Sequence, residues 1–267
     1  MSMRFFDQIT WSAPWFDLVR PMAQQLIAAP DWRAKLNQLA QEHQLHNHQG
    51  MALEFIPQEE LPDGVAYEAH ISATGKVPTR ENLHDFFNAL VWLSFPQIKR
   101  QLNALQAAQI ASLGIGKSRG PARDAATIFD ENAALLVVEH STEGDELISA
   151  LRQHEWESAF ITQRHKFNQC AKVWSFGHAL MEKLVTPYKA ITAHTWVVRV
   201  EPAHFLLNRD AALEELDQEI ADTLKHHLLT TADYTPLPVL GIPDWWNEQD
   251  RLFYADRDVF RPPRQKK

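Results

Sequence analysis

The chain has 267 residues, 45% of them hydrophobic, with a formal net charge of −8 and a single cysteine. That length and apolar content allow a sizeable core within one domain spanning residues 1–267, while the acidic balance opposes nonspecific attraction to phosphate backbones, so nucleic acid is not the expected partner. Cys170 alone excludes an intramolecular disulfide and a multi-thiolate zinc site, fits a reducing cytoplasmic setting, and has no local partner to lower its pKa as a nucleophile would need.

The opening MSMRFFDQITWSAPWF has no uninterrupted apolar h-region, and no later run reaches the ~18 apolar residues of a membrane span. Between Trp15 and Ala40 the apolar positions Phe16, Val19, Leu26, Ile27, Trp32, Leu36 and Leu39 suit two short helices, punctuated at Pro21 and Asp31. The following QEHQLHNHQG brings His43, His46 and His48 close in sequence. It reads either as a metal cluster or as a frayed helix end stopped by Gly50, where the helix dipole favours histidine. Met51 to Pro57 and Val65 to Ile71 read as two strands around the turn-forming Leu61-Pro62-Asp63-Gly64.

Arg80 to Leu105 is the stretch around which the chain is organised. At 100° per residue Leu83, Phe86, Phe87, Leu90 and Leu93 share one face, and Glu81, His84, Asp85 and Asn88 share another that runs into Val91, Trp92 and Phe95. Such a helix is buried, so its polar stripe must form a site or an internal network. Phe95-Pro96 breaks it, and a second helix follows with Ile98, Leu102, Leu105 and Ile110 inward and Lys99, Arg100 and Gln101 in solvent. LGIGKSRGP, from Leu113 to Pro121, lacks the glycine spacing of a phosphate-binding loop, so neither a nucleotide nor a nicotinamide cofactor is indicated.

Arg123 to His140 reads as a β-hairpin turning at Asp130-Glu131-Asn132, with Arg123-Asp124 at its start, where the arginine needs a carboxylate or a bound anion. Glu143 to Phe167 reads as a helix. Lys172 to Leu184 reads as an amphipathic helix ended by Pro187, with His178 and Glu182 four apart on one face: an imidazole and carboxylate for one metal, a base with its orienting partner, or an ordinary solvated pair. Ile191 to Val200 is a strand whose His194 faces inward. Leu213 to Leu229 is a helix, and Pro236 to Pro263 is a proline- and tryptophan-rich arm that staples the core or offers an aromatic platform.

Three segments together, NLHDFFNALVWLSFPQIK, RDAATIFDENAALLV and FGHALMEKLVTPYKAITAH, with LPVLGIPDWW and VFRP near the end, resemble the bacterial domain of unknown function family numbered 3025, from about Thr79 to Pro262. The resemblance implies a soluble single-domain bacterial protein and transfers no activity, cofactor or catalytic residue. It marks Asn82, His84, Asp85, Asn88, Arg123, Asp124, Asp130, Glu131, His178, Glu182 and His194 as characteristic positions.

These observations lead to an α+β fold, mostly helical, with a small and largely antiparallel sheet packed against the buried central helix. The first functional expectation is a small-molecule hydrolase-like enzyme, in which His84, Asp85, Asn88, His178, Glu182 and His194 supply catalytic groups and Arg123, Asp124, Asp130 and Glu131 hold the substrate, with a divalent metal as an added option. The second is a non-catalytic protein that binds a ligand or another protein and whose polar residues satisfy one another. Nucleic-acid processing is a third, resting on Lys117, Arg119 and Arg123 and on the spacing of His70, Asn82 and Asn88. An open pocket with unpaired histidine atoms favours the first, and a closed paired network the second.

Overall fold

The computed structural model describes residues 4–113 and 121–263. The chain begins with two helices, α1 (Arg20–Ala28) and α2 (Trp32–Glu42), as their apolar spacing requires. Pro21 sits in the first turn of α1, where its missing N–H costs nothing, and the Asp31 carboxylate caps α2 by accepting from the amides of Arg33 and Ala34, both at 3.0 Å.

The next unit departs from the sequence reading. Strand β1 (Glu54–Pro57) is followed by helix α3 (Tyr67–Thr74), where a strand over Val65–Ile71 was expected, and then by strand β2 (Lys76–Thr79). β1 and β2 pair in parallel, with Phe55 opposite Val77. Parallel strands cannot be joined by a tight turn, so the segment between them must cross over, and it does so as a helix. Gly75 ends α3 at φ +74°, and a Cβ there would lie 2.4 Å from the Ala52 carbonyl oxygen; only glycine fits.

Asn82 opens the central helix α4 (Leu83–Ser94), its side-chain oxygen accepting from the Asp85 amide at 2.8 Å. Every residue from Asp85 to Ser94 is buried. Phe95 leaves the helical region at ψ 58°, and Pro96 starts α5 (Pro96–Leu113), the break expected at this dipeptide. Phe86 packs edge-on to Phe5 and Trp32, and Phe87 stacks on Phe16 with ring centroids 5.5 Å apart, so the N-terminal segment is folded onto α4.

Where a hairpin was expected, the chain forms α6 (Pro121–Asn132) running without a loop into β3 (Ala133–Glu139). Ala125, Ala126 and Phe129 are the buried apolar positions, a helical spacing that the sequence reading took for strand alternation, and Asp130-Glu131-Asn132 is the last helical turn. Helix α7 (Thr142–Arg152) and, after a π-helical turn, α8 (Arg164–Cys170) divide what was read as one helix. The reading of Lys172–Leu184 as one helix is also corrected. β4 (Ala171–Ser175) carries the β-forming Val173 and Trp174 against β3, and only then does the short α9 (His178–Lys183) begin.

β5 (Thr192–Val200), α10 (Arg209–His226), β6 (Thr235–Pro238) and α11 (Arg251–Tyr254) complete the chain. The main sheet has the order β4-β3-β5-β6, with β3 and β5 parallel and both outer pairings antiparallel. Pro236 and Pro238 stand on the edge strand, the place in a sheet where a missing N–H is tolerated. The larger sheet is therefore mostly antiparallel and the smaller one parallel.

With 55% of the described residues helical, the fold is α+β and mostly helical. One cluster of buried apolar side chains runs from Phe6 to Phe260. The chief neighbours of α4 are α9, α5, α1, α2 and β2, while α6 packs on β3 and β5. Helices α5 and α9 contact both α4 and α6, and so join the central helix to the layer that covers the main sheet. The C-terminal arm is tied down by Trp156 Nε1 donating to the Arg261 carbonyl at 2.7 Å and Tyr254 donating to that of Gly241 at 2.9 Å. Among the described residues no helix is long and apolar enough to cross a membrane.

Candidate functional site

The helices α3, α4, α5, α6 and α9 surround a polar cleft of about 340 Å³. α4 contributes His84 and Asp85 and, one turn on from His84, Asn88; α6 contributes Arg123, Thr127, Asp130 and Glu131; α9 contributes His178. Tyr67 and Glu68 come from α3, Gln106 from α5, and Arg80 from the segment entering α4.

The centre of the site is a contact between imidazoles. His178 Nε2 is 3.1 Å from His84 Nε2, and His84 Nδ1 is 2.9 Å from the Glu182 carboxylate. On the far side, His178 Nδ1 faces the Asp130 carboxylate at 3.8 Å, beyond hydrogen-bonding range. Gly177 makes this arrangement fit: a Cβ there would meet the Asn132 amide nitrogen and the Glu131 carbonyl at 2.5 Å, so only a bare backbone lets the start of α9 press against the end of α6.

Burial lowers the pKa of His178 to about 4, the nearby Asp130 carboxylate opposing the shift without cancelling it. His178 is therefore neutral near neutrality and carries one ring proton. If Nε2 holds it, that proton is donated to His84 Nε2, His84 keeps its own on Nδ1 toward Glu182, and His178 Nδ1 is left bare toward Asp130. If Nδ1 holds it, His178 Nε2 accepts from His84, which is then an imidazolium beside Glu182. The two arrangements differ by one proton, so uptake at His84 changes the tautomer of His178.

Behind the imidazoles, Lys99 Nζ lies 2.6 Å from Asp130 and 2.8 Å from the side-chain oxygen of Asn88, and only 3% of Lys99 is exposed. Burial alone would raise the Asp130 carboxyl, but the Lys99 ammonium, aided by His178, holds it below the usual range. Arg80 makes a two-pronged contact to Asp85 at 2.9 and 3.1 Å. The Asn88 amide donates to the Tyr67 hydroxyl at 3.0 Å. Burial raises Tyr67 well above its ordinary value, with the neighbouring Glu68 adding to the effect. Glu68 is itself raised by burial, against the pull of Lys99, and accepts from Asn103 at 2.6 Å.

A family model described as "Protein of unknown function (DUF3025)" matches residues 53–264, most of the chain. The chain belongs to the DUF3025 family. The DUF3025 match begins at 53 rather than near Thr79, so it takes in α3 with Tyr67 and Glu68. Searches of the curated proteins and of the solved structures each returned no match.

Of the residues singled out in this DUF3025 sequence, His84, Asp85, Asn88, Arg123, Asp130, Glu131 and His178 line one cleft, and Glu182 joins it through His84. Two do not. Asp124 is exposed on α6 and does not line the cleft, and His194 sits half-buried on β5 with its Nδ1 2.9 Å from the side-chain nitrogen of Asn132. His194 shares its face of β5 with the buried Trp196 and Val198, and is itself half-buried near the start of the strand. Sequence reasoning missed Tyr67, Glu68, Arg80, Lys99 and Thr127. Lys99 had a legible sign: Lys99, Asn103 and Gln106 stand at i, i+4 and i+7, and all three are buried.

The remaining sequence candidates fall elsewhere. His48 Nε2 is 2.8 Å from the Ser72 hydroxyl, and among the described residues no group of three or more His, Cys, Asp and Glu side chains is arranged to hold a metal. Cys170 is buried, which pushes its thiol pKa up. His70 lies on α3, not on a strand, so the strand-turn-helix order suggested by His70, Asn82 and Asn88 is not formed. Lys117 and Arg119 lie outside the described residues, while Arg123 shares its cleft with the two histidines.

Proposed function

We propose that the cleft is the active site of a hydrolase-like enzyme that acts on a small polar molecule by general acid–base chemistry at His84 and His178. The observation that carries this reading is the 3.1 Å contact between two imidazoles, each with a carboxylate on its other side, at the wall of an open cleft. A purely structural network has no need of an imidazole pair that can gain a proton at one ring and shift a tautomer at the other. The imidazole pair takes a proton from the attacking water at the His84 Nε2 to His178 Nε2 contact, holds it as one hydrogen-bonded imidazolium, and gives it to the leaving group. Water and the cleaved bond balance, and both rings end as they began.

Glu182 orients His84, and Lys99 keeps Asp130 ionised beside His178. Arg123 receives an anionic group of the substrate; its Nε has no hydrogen-bond partner among the described residues. The proposal runs through protein groups alone, because the donor geometry supports no three-ligand metal set among those residues. A cytoplasmic setting is part of the proposal and rests on the lone cysteine.

A second reading is favoured by one observation. Asp85, Asn88, Asp130 and His84 all find protein partners, as in a non-catalytic binding protein with a self-satisfied network. A panel of chromogenic esters, amides and phosphoesters, assayed with the wild type and with His84→Asn and His178→Asn, separates the two. The enzyme reading expects one class to be turned over, with each variant about 100-fold slower or worse. Activity equal in all three proteins, or absent from the wild type across the panel, favours the binding protein.

A further inference from the structure

The hydrogen bonds behind the cleft have a direction, and the direction constrains what the cleft receives. An ammonium can only donate, so the Asn88 oxygen must face Lys99 at 2.8 Å. The Asn88 side-chain nitrogen then faces Tyr67 and donates to its hydroxyl oxygen at 3.0 Å. Tyr67 has used its oxygen as an acceptor there, so its own hydrogen is turned away from Asn88, and no acceptor takes it among the described residues. The phenol lines the cleft, and its environment keeps it protonated, so it offers a hydrogen bond without surrendering the proton.

We infer that Tyr67 is the group that binds the reacting oxygen, and that the substrate is a small carboxylic acid bearing a second, acyl carbonyl, with its carboxylate at Arg123 and its carbonyl oxygen at Tyr67. This rests on the acid–base reading of the same cleft. A donor set of this kind accepts an oxygen that has lone pairs and no hydrogen, and it leaves a hydroxyl or ammonium in that place without an acceptor. One neutral donor suits one oxygen that gains charge as a carbonyl is attacked. Phosphoryl transfer spreads charge over three oxygens and calls for several free cations. Here Lys99 is committed to Asp130 and Asn88, and Arg80 to Asp85. A cleft of about 340 Å³ limits the ligand to a molecule the size of an N-acyl amino acid or a short ester acid.

The test is calorimetric titration of the full chain with N-acetylglycine and, separately, with inorganic phosphate. N-acetylglycine is expected to bind the wild type saturably and more tightly than phosphate does. Tyr67→Phe should weaken it about 10-fold or more. Asn88→Asp should do the same: a carboxylate there still accepts from Lys99 but now also accepts from Tyr67, which turns the hydroxyl away from the cleft. His84→Asn should stay within about 3-fold of wild type, since it removes the proton relay and not the oxygen's donor. Equal affinity in Tyr67→Phe and wild type, or binding of phosphate in place of N-acetylglycine, or no binding of N-acetylglycine to the wild type, overturns the inference. If the binding pattern holds while His84→Asn and His178→Asn leave turnover untouched, the acid–base reading fails and the ligand class stands.

Discussion

His178 and His84 are 94 positions apart in sequence, yet their Nε2 atoms lie 3.1 Å from each other, one ring buried and the other half-exposed. Burial of His178 has a cost that depends on pH. Its pKa is lowered to about 4 in the fold from an unfolded value of 6.5, so the unfolded chain binds the proton first. The stability this group contributes is present above pH 6.5 and is lost as pH falls toward 4, by roughly 3 kcal/mol over the window. Urea unfolding of wild type and His178→Phe across that range should show a steeper loss in the wild type. Parallel profiles would mean that His178 titrates normally.

Asp217 should impose the opposite slope. It is buried on α10, where its two oxygens accept from the amides of Gln97 and Ile98 at 2.9 Å and so cap α5, the helix that carries Lys99. Burial raises its pKa from 3.8 to about 7, with the two amide bonds holding it back. A raised carboxyl contributes stability fully below pH 3.8 and loses it as pH rises through 7, by roughly 4 kcal/mol. The difference between wild type and Asp217→Asn should therefore shrink as pH rises from 4 to about 8, and a difference that is constant with pH would count against a raised carboxyl.

Gly177 is where one methyl group should disturb the site. A Cβ 2.5 Å from the Glu131 carbonyl and the Asn132 amide nitrogen has backbone on the other side, which cannot swing away. Gly177→Ala should push α9 off the end of α6, lengthen the contact between His178 and Asp130, and cost about 1–3 kcal/mol by overpacking. Denaturation should show that loss together with lower turnover. Stability and turnover both like the wild type's would show that the close approach is not needed.

Lys99 and Asp130 form a nearly solvent-free ion pair. Removing one partner strands a buried charge, so Lys99→Met should destabilise the fold by about 3–5 kcal/mol, while Lys99→Met combined with Asp130→Leu should recover much of that loss and still disable the cleft. A double-mutant cycle in urea measures the coupling. Additive losses would mean that the pair does not act as one unit.

What the sequence made legible follows from where its signals are local. The burial of α4 was plain because ten successive positions from Asp85 to Ser94 offer no solvated face wide enough for an exposed helix. For the same reason His84, Asp85 and Asn88 could be marked as groups that must find partners. Arg123, Asp130 and His178 could be marked by residue type, but their meeting depends on α6 being a helix, and the same apolar residues had been read as strand. Short segments such as Val65–Ile71 and Ala171–Ser175 carry too few residues to separate a period of 2 from one of 3.6, and strand pairing decided them. Tyr67 was hidden by that ambiguity. Lys99 was hidden by another, since a long amphipathic side chain looks the same in sequence whether its charge snorkels to water or meets a buried carboxylate.

The most direct test of the account is the nitrogen NMR of the histidine rings in 15N-labelled protein, titrated from about pH 8 to about pH 4 in wild type and in His84→Asn. If His84 and His178 form one proton-carrying unit, His178 stays neutral until the pH nears 4, and the nitrogen that carries its ring proton is set by His84, so that His84→Asn changes the tautomer. Two rings that titrate independently, with His178 near 6.5 and indifferent to His84→Asn, would contradict it.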